Sequence, residues 1–177
     1  MAAAGIAFGI AGLSFPEPSP AQSPDTVRWQ TFESGGGRFK VAFPGAPVMK
    51  QGRLRTEIGE IASVRHTADS ADATYDVTYN DYPESGVARL TAAKLLDTAR
   101  DGLVYQAKGT LASEKTFMLG TRTGREYDIS GEGGMRYRIR LLLVNNRLYQ
   151  LSAIARLPAA ADDRKFFDSF QLTKESP

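Results

Sequence analysis

The sequence predicts an α+β fold: an antiparallel β-sheet flanked by one long helix and a short C-terminal helix. Three observations lead there. Runs of period two recur along the chain, as in Arg38–Phe43 and Thr74–Tyr82, and such alternation marks strands with one apolar face. One stretch, Val87–Val104, changes to a spacing of three and four, the stripe of an amphipathic helix. The segment Arg122–Leu172 reads in order as strand, glycine loop, strand, Asn-Asn turn, strand, proline and short helix. Strands grouped before a closing helix suit an antiparallel α+β layout.

Each element has its own local cause. Val27–Glu33 alternates as a first strand, and Gly35-Gly36-Gly37 breaks it. In Arg38–Phe43, Phe39, Val41 and Phe43 share one face, and Pro44-Gly45-Ala46-Pro47 ends the run. Gly59 divides a polar, β-branched region into hairpin arms near Lys50–Glu57 and Glu60–Thr67. Thr74–Tyr82 sets Tyr75, Val77 and Tyr79 on one face and Thr74, Asp76 and Thr78 on the other, so a half-buried strand is expected. The long helix carries Ala92, Leu95, Leu96, Ala99 and Leu103 on its stripe, with Ser85 as the expected N-cap. Gly102 and Gly109 mark its exit.

Leu111–Leu119 and Thr121–Ser130 return to strand patterning. With a loop at Ser130–Gly134, Ile129 would face Met135 and Tyr127 would face Tyr137. The same register sets Asp128 opposite Arg136 and Glu126 opposite Arg138. Apolar pairs on one face and opposite charges on the other are what a ladder favours. Asn145-Asn146 is a tight-turn pair, since Asn tolerates positive φ. It joins Met135–Val144 to Arg147–Arg156, and the run Leu142-Leu143-Val144 implies cover on both faces near that strand's end. Pro158 permits a helix start, Asp162 and Asp163 suit its first turn, and Phe166, Phe167 and Phe170 would dock it on the sheet.

The chain has 177 residues, 42% hydrophobic and 24% charged, values ordinary for a soluble globular domain. One domain is expected at this length. Cysteine is absent, which excludes disulfides, thiolate metal sites and cysteine nucleophiles. With 22 basic against 20 acidic side chains, the charge is too even for nucleic acid, which demands a clear basic excess.

Ala2–Phe15 is small, apolar and uncharged. It is shorter than the roughly 20 residues a bilayer span takes and fits the apolar centre of a secretory signal. Ser19-Pro20-Ala21 would serve for cleavage, although no Lys or Arg precedes Arg28. The expected organisation is a leader and Pro-rich linker at 1–26, one domain at 27–172 and a polar tail at 173–177. The expected product is exported, to a periplasm or the outside. It would have no integral membrane segment in the mature chain and would be a monomer.

These landmarks form a familiar series. Trp29 and Phe32 open it, RFKVAFP follows at residues 38–44 and YDVTYNDYP at 75–83. A long helix, four strands and a closing helix ending FFDSF at 166–170 complete it. The series resembles the PsbP-like group of the Mog1/PsbP fold over residues 27–172. The resemblance implies an antiparallel sheet flanked by helices and an accessory or binding role rather than an enzymatic one. In photosynthetic members that role is assisting the oxygen-evolving complex. No functional motif of those members is matched here, and none is carried over.

The arginines are the leading candidate site. Seven lie on neighbouring expected strands: the five candidates are Arg136, Arg138 and Arg140, which share a strand face, with Arg122 and Arg125 on the strand beside them, and Arg147 and Arg156 stand on the strand beyond. Guanidinium groups in a row can hold a carboxylate, a phosphate or an acidic partner surface. The competing reading is a solvated, salt-bridged face, in which Arg140 alone lacks a nearby acidic partner. The single histidine, His66, reads as a solvated surface residue. Asp69, Asp72, Asp76 and Asp81 read as turn residues and a solvated strand face, without the spacing of a calcium loop. Gly131–Gly134 precedes a strand rather than a helix, so it is no phosphate loop. The seven tyrosines read as core before they read as a ligand groove.

No catalytic, cofactor or metal residue is nominated, and no cofactor is expected. The first functional reading is a non-enzymatic exported binding module whose partner is a protein or a small anionic ligand. A carrier with an apolar, Tyr-lined cavity is the second. An enzyme using Asp76 or Glu126 with a burial-shifted pKa is the third.

Overall fold

A computed structural model describes residues 28–56, 59–88, 90–157 and 162–173. The leader, the start of the expected first strand at Val27 and the Pro158 helix start lie outside the described residues. The elements run β1 Gln30–Ser34, β2 Phe39–Phe43, β3 Val48–Thr56, β4 Gly59–Asp69, β5 Ala73–Asp81, α1 Glu84–Val87 and α2 Ala92–Gln106. They continue as β6 Thr110–Leu119, β7 Arg122–Ser130, β8 Met135–Val144, β9 Arg147–Arg156, α3 Asp163–Ser169 and β10 Gln171–Leu172. The fold class is α+β, as expected.

Seven strands form one antiparallel sheet in the order β3-β4-β5-β9-β8-β7-β6, and β1-β2-β10 form a second, smaller one. The small sheet and α3 cover one face of the large sheet. There Phe39, Val41 and Phe43 of β2 and Phe166, Phe167 and Phe170 meet Tyr75, Val77, Tyr149 and Leu151 in one core. Its rings sit edge-on or tilted, as between Tyr75 and Phe166 at 5.2 Å, the geometry that aromatic quadrupoles favour. The other face packs Tyr127, Ile129, Tyr137, Ile139 and Leu141 against Leu95, Leu96, Ala99 and Leu103 of α2.

The long helix begins later than its periodicity suggests. Pro83 carries a separate turn, α1, and the chain re-enters helix at Ala92. Thr91, not Ser85, is the N-cap: its hydroxyl accepts from the Lys94 amide at 3.1 Å. Ser85 lies inside α1 and has no capping role.

The β7–β8 register differs from expectation by two residues. Ile129 faces Tyr137, Tyr127 faces Ile139, Asp128 faces Arg138 and Glu126 faces Arg140. The hairpin closes one residue later than expected, through a 3-10 turn at Glu132–Gly134, with the Gly131 amide donating to the Met135 carbonyl at 2.8 Å. Gly133 and Gly134 take φ of 67° and 75°, which a side chain would resist. An even slip keeps every side chain on its face. The apolar and charged faces therefore stand as read, and only the opposite partners change.

The central strand β5 is buried on both faces, not half-buried. Thr74, Asp76, Thr78 and Asn80 are enclosed together with Tyr75, Val77 and Tyr79. Its polar face is flanked by Arg65 of β4 and by Gln150 and Ser152 of β9, which stand opposite Thr78 and Asp76. Alternation in sequence distinguishes polar from apolar faces but not open from covered ones.

Candidate functional site

Four of the five candidate arginines are engaged within the fold. Arg136, Arg138 and Arg140 share the β8 face beneath α3. Arg136 holds Asp128 through Nε at 3.0 Å and Nη2 at 2.5 Å. Arg138 bridges Glu126 at 3.0 Å and Asp163 of α3 at 2.9 Å. The pairs Asp128–Arg136 and Glu126–Arg138 thus form across the diagonal, within reach of long side chains. Arg140, expected to lack a partner, binds Glu126 at 2.6 Å and Asp168 of α3 at 3.4 Å. Its guanidinium also lies 4.9 Å from the ring centres of Phe117 and Phe167. The slip in register placed Glu126 opposite Arg140, and the docked helix supplied the second acid.

Glu126 is the hub of this cluster. Its side chain is 4% exposed and takes Lys115 at 3.0 Å as well as the two arginines. Burial pushes its carboxyl up, but the hydrogen bonds from Arg140 and Lys115 outweigh this and hold it below the usual carboxylate range. Asp163 goes the other way, because burial there outweighs Arg138. Arg125 lies on the opposite face and binds Glu114 and Asp97 of α2. Arg122 is exposed at the start of β7 and makes no ion pair among the described residues.

The groups available for acid–base work are walled in. His66 is buried, not solvated, among Phe32, Phe39 and Tyr79. Its Nε2 lies 3.3 Å from Ser34 Oγ, a proximity that 32 intervening positions hid from sequence reading. Among the described residues no hydrogen-bond partner meets its Nδ1, the position at which a nucleophilic triad sets its third member. Burial pushes the imidazole pKa down, which keeps it neutral. Asp76 is fully enclosed; Thr78 donates to it at 3.2 Å, and Arg65 lies 3.9 Å away. Burial, outweighing Arg65, Thr78 and Ser152, pushes its carboxyl up to about 6. Tyr75 and Tyr127 are pushed up to about 12 by burial, far from neutrality. Tyr75, Tyr79, Tyr127, Tyr137 and Tyr149 are core side chains. Among the described residues, no group of three or more His, Cys, Asp or Glu could hold a metal ion.

Two depressions remain on the face that bears the arginine row. One, of about 170 Å³, lies between the end of β6 and α3, lined by Phe117, Met118, Leu119, Phe167, Phe170 and Arg140 among others. Gly124 makes room for it: a Cβ there would meet the Phe117 ring at 2.4 Å and the Leu141 carbonyl at 2.7 Å. The second, of about 340 Å³, surrounds the β8–β9 turn and includes Arg38, Arg122 and Arg147. The same three segments wall both. Leu142 and Val144 of β8 form successive floor positions, Phe170 and Leu172 one wall, Leu119 and Arg122 the other. Residues two apart on a strand lie about 7 Å apart on one face, so the two depressions lie side by side along this face. Arg147 belongs to the arginines on neighbouring strands that the sequence singled out, whereas nothing in the periodicity marks Arg38 as a member of the groove.

Among solved structures, the chain is similar to cyanobacterial PsbP (CyanoP) from Synechocystis sp. PCC 6803. The TM-score is 0.54 at 10% identity, over 87% of this chain and 98% of that one. A likeness to PA94, a Pseudomonas aeruginosa protein of unknown function, has a TM-score of 0.34 at 10% identity over 73% and 83% of the two chains, too weak to bear on the fold. No protein-family model matches the chain, and no curated protein matches it by sequence. The fold is PsbP-like; at this identity the likeness extends to fold alone, and folds host unrelated functions.

Two predictions follow from the buried charges. Glu126→Ala strips the shared carboxylate from two part-buried arginines that keep their α3 partners, so a loss of about 2–3 kcal/mol is expected in urea unfolding. Lys115→Ala removes a mostly exposed partner and should stay within about 0.5 kcal/mol; equal effects would refute the hub. For Asp76, a folded pKa of about 6 against an ordinary 3.8 means that its contribution is full below the ordinary value. That contribution is lost as pH rises through about 6. Wild type should therefore lose on the order of 2–3 kcal/mol relative to Asp76→Asn between about pH 4 and about pH 7. The lowered Glu126 acts in the opposite sense, below its ordinary 4.5. A pH-independent difference between the two proteins would show that Asp76 does not titrate in this window.

Proposed function

We propose that this chain is a non-enzymatic accessory module, exported as one domain at 27–172, that binds a partner protein through the groove between α3 and the β6–β7 end of the large sheet. The observation that carries the reading is the outcome of charge pairing. The arginine row is engaged within the fold, Arg136 by Asp128 and Arg138 and Arg140 by Glu126 and α3, while the groove beside it combines an apolar pocket with cationic side chains. Leu119, on edge strand β6, lines the pocket and shares the face of Phe117 and Arg140, whereas the exposed Met118 pairs with Thr123 on the opposite face. An apolar pocket beside an unpaired strand edge suits a protein contact.

The carrier reading has less support. Tyr75, Tyr79, Tyr127, Tyr137 and Tyr149 are packed into cores while Tyr105 is exposed, and the apolar pocket beside α3, about 170 Å³, is below the few hundred cubic ångströms of ordinary ligand pockets. The enzyme reading has less still, because Asp76 and the Ser34–His66 pair are enclosed. Export rests on the apolar run Ala2–Phe15. No helix among the described residues is long and apolar enough to cross a membrane.

The test is capture from the native envelope extract with the tagged chain expressed from its first residue. A defined partner should be retained by wild type and lost, by at least about tenfold, in Leu119→Glu, its fold checked by circular dichroism, since a charge cannot enter an apolar contact without large cost. Equal capture by both proteins would remove the groove from the function, and a product of full-length mass confined to the cytoplasm would remove export.

A further inference from the structure

The small sheet holds its two long strands unequally. β2 is locked in: Phe39, Val41 and Phe43 are fully buried, β10 pairs with it, and the Ala42 amide donates to Ser169 Oγ of α3 at 2.8 Å. β1 is five residues long, pairs with β2 alone among the described strands, and has only Ser34 in the buried class. Its ties to the large sheet centre on His66 of β4. The Phe32 ring lies 4.9 Å from the imidazole, and Ser34 Oγ lies 3.3 Å from Nε2. Just before the strand, Trp29 meets Tyr75 edge-on at 5.1 Å. The loop after β1 is pinned to the large sheet: Arg147 Nη1 donates to the Gly36 carbonyl at 2.7 Å, and the Tyr149 hydroxyl to the Gly37 carbonyl at 2.8 Å. The chain can therefore turn at Gly35, free of a side chain's limits, without moving β2.

His66 sits where a charge is badly placed. It is the single histidine of the chain and is buried. Phe32 of β1, Phe39 of β2 and Tyr79 of β5 surround the ring, with Met49 of β3 and Val77 of β5 opposite it along the ladder. The polar groups facing it are the hydroxyls of Ser34 and Tyr79, and burial makes the Tyr79 proton harder to lose than usual. Glu33 and Lys40 stand opposite each other and alternate with the inward residues of β1 and β2. Lys50 and Arg65 likewise occupy the other face of β3 and β4. Arg147, 4.4 Å from the Tyr79 ring centre, is held by Asp81. Protonation makes both ring nitrogens donors, and Nδ1 meets no hydrogen-bond partner among the described residues. The added proton thus brings a buried charge and an unmade hydrogen bond. The aromatic faces attract a cation and offset part of this, but burial still pushes the imidazole pKa down.

We propose that β1 is an acid-released strap: protonation of His66 frees it from the large sheet and from its ladder with β2, while β2, α3 and the seven-stranded sheet stay in place. The device is independent of the groove reading above. Opening hydrates the ring and returns it toward its ordinary value of 6.5, whereas the closed form holds it lower. The open form therefore binds the proton more tightly. Closure is favoured in full above about pH 6.5 and weakens as pH falls below it. Short edge elements with few buried contacts open before the core does, and release uncovers apolar surface on Phe39 and Tyr75.

The test follows amide hydrogen exchange of the untagged full chain from about pH 7.5 to about pH 5.5, corrected for the intrinsic pH dependence of exchange. The ring-proton shifts of the single histidine are recorded in the same samples. Protection of β1 relative to β8 and β9 should begin to fall below about pH 6.5, by up to about tenfold per pH unit, and level off below the pH at which the ring titrates. His66→Phe keeps a ring in the cage and takes no proton, so the fall should vanish; His66→Gln repeats the test with a polar side chain. Asp76→Asn, on the opposite face of β5, should leave the fall unchanged. A ring that titrates at or above 6.5, β1 protection independent of pH, or a fall shared equally by β8 and β9 overturns the strap in wild type alone. A fall that persists in either His66 variant overturns it as well.

Discussion

A single buried carboxylate organises the charged half of this molecule. Glu126 draws cations from both neighbouring strands, Lys115 of β6 and Arg138 and Arg140 of β8. The two arginines then reach on to Asp163 and Asp168 of α3. Sheet edge, sheet centre and closing helix are thereby joined through one side chain. Such a network does not by itself make a fold stable, since desolvating its members offsets much of the attraction. It makes alternatives costly, because any other seat for α3 would leave two part-buried guanidinium groups to share the single carboxylate of Glu126. The aromatic core beneath, with Phe166 against Tyr75 and Phe43, supplies the burial energy, and the charges set where the helix sits.

The same economy decides where a ligand can act. A row of arginines on a strand looks like an anion site until the fold is assembled. Assembly brings an acid to each of Arg136, Arg138, Arg140 and Arg125, and the row becomes internal architecture. Apolar surface survives beside α3, where Phe117, Leu119 and Phe167 line the pocket. The groove is the remainder left by pairing, which explains why it lies beside the predicted row and not on it.

The buried polar stripe of β5 is a second constraint on the sheet. Thr78, Ser152 and Arg65 serve Asp76, and Asp69 accepts the Thr74 hydroxyl at 2.6 Å. A one-residue slip of β5 would turn these groups into the aromatic core and the tyrosines away from it, so the stripe fixes register at some expense in stability.

The sequence by itself determined the order of elements, the apolar faces of β2, β5 and α2, the Asn145-Asn146 turn and the acids that Arg136 and Arg138 would meet. Each of these depends on periodicity, turn chemistry or neighbouring strands, which are local. It misjudged the β7–β8 register by two residues because an even slip preserves the pattern that was read. Only the tertiary structure decided that His66 and Asp76 are enclosed, that Arg140 is paired, and that Arg38, Arg122 and Arg147 share a cleft. Those outcomes depend on which layer covers a face and on contacts far apart in the chain, such as Arg147 with Gly36, 111 residues away. A polar residue on an alternating strand carries no mark of whether water or another layer will lie above it, and that is settled only when the layers pack.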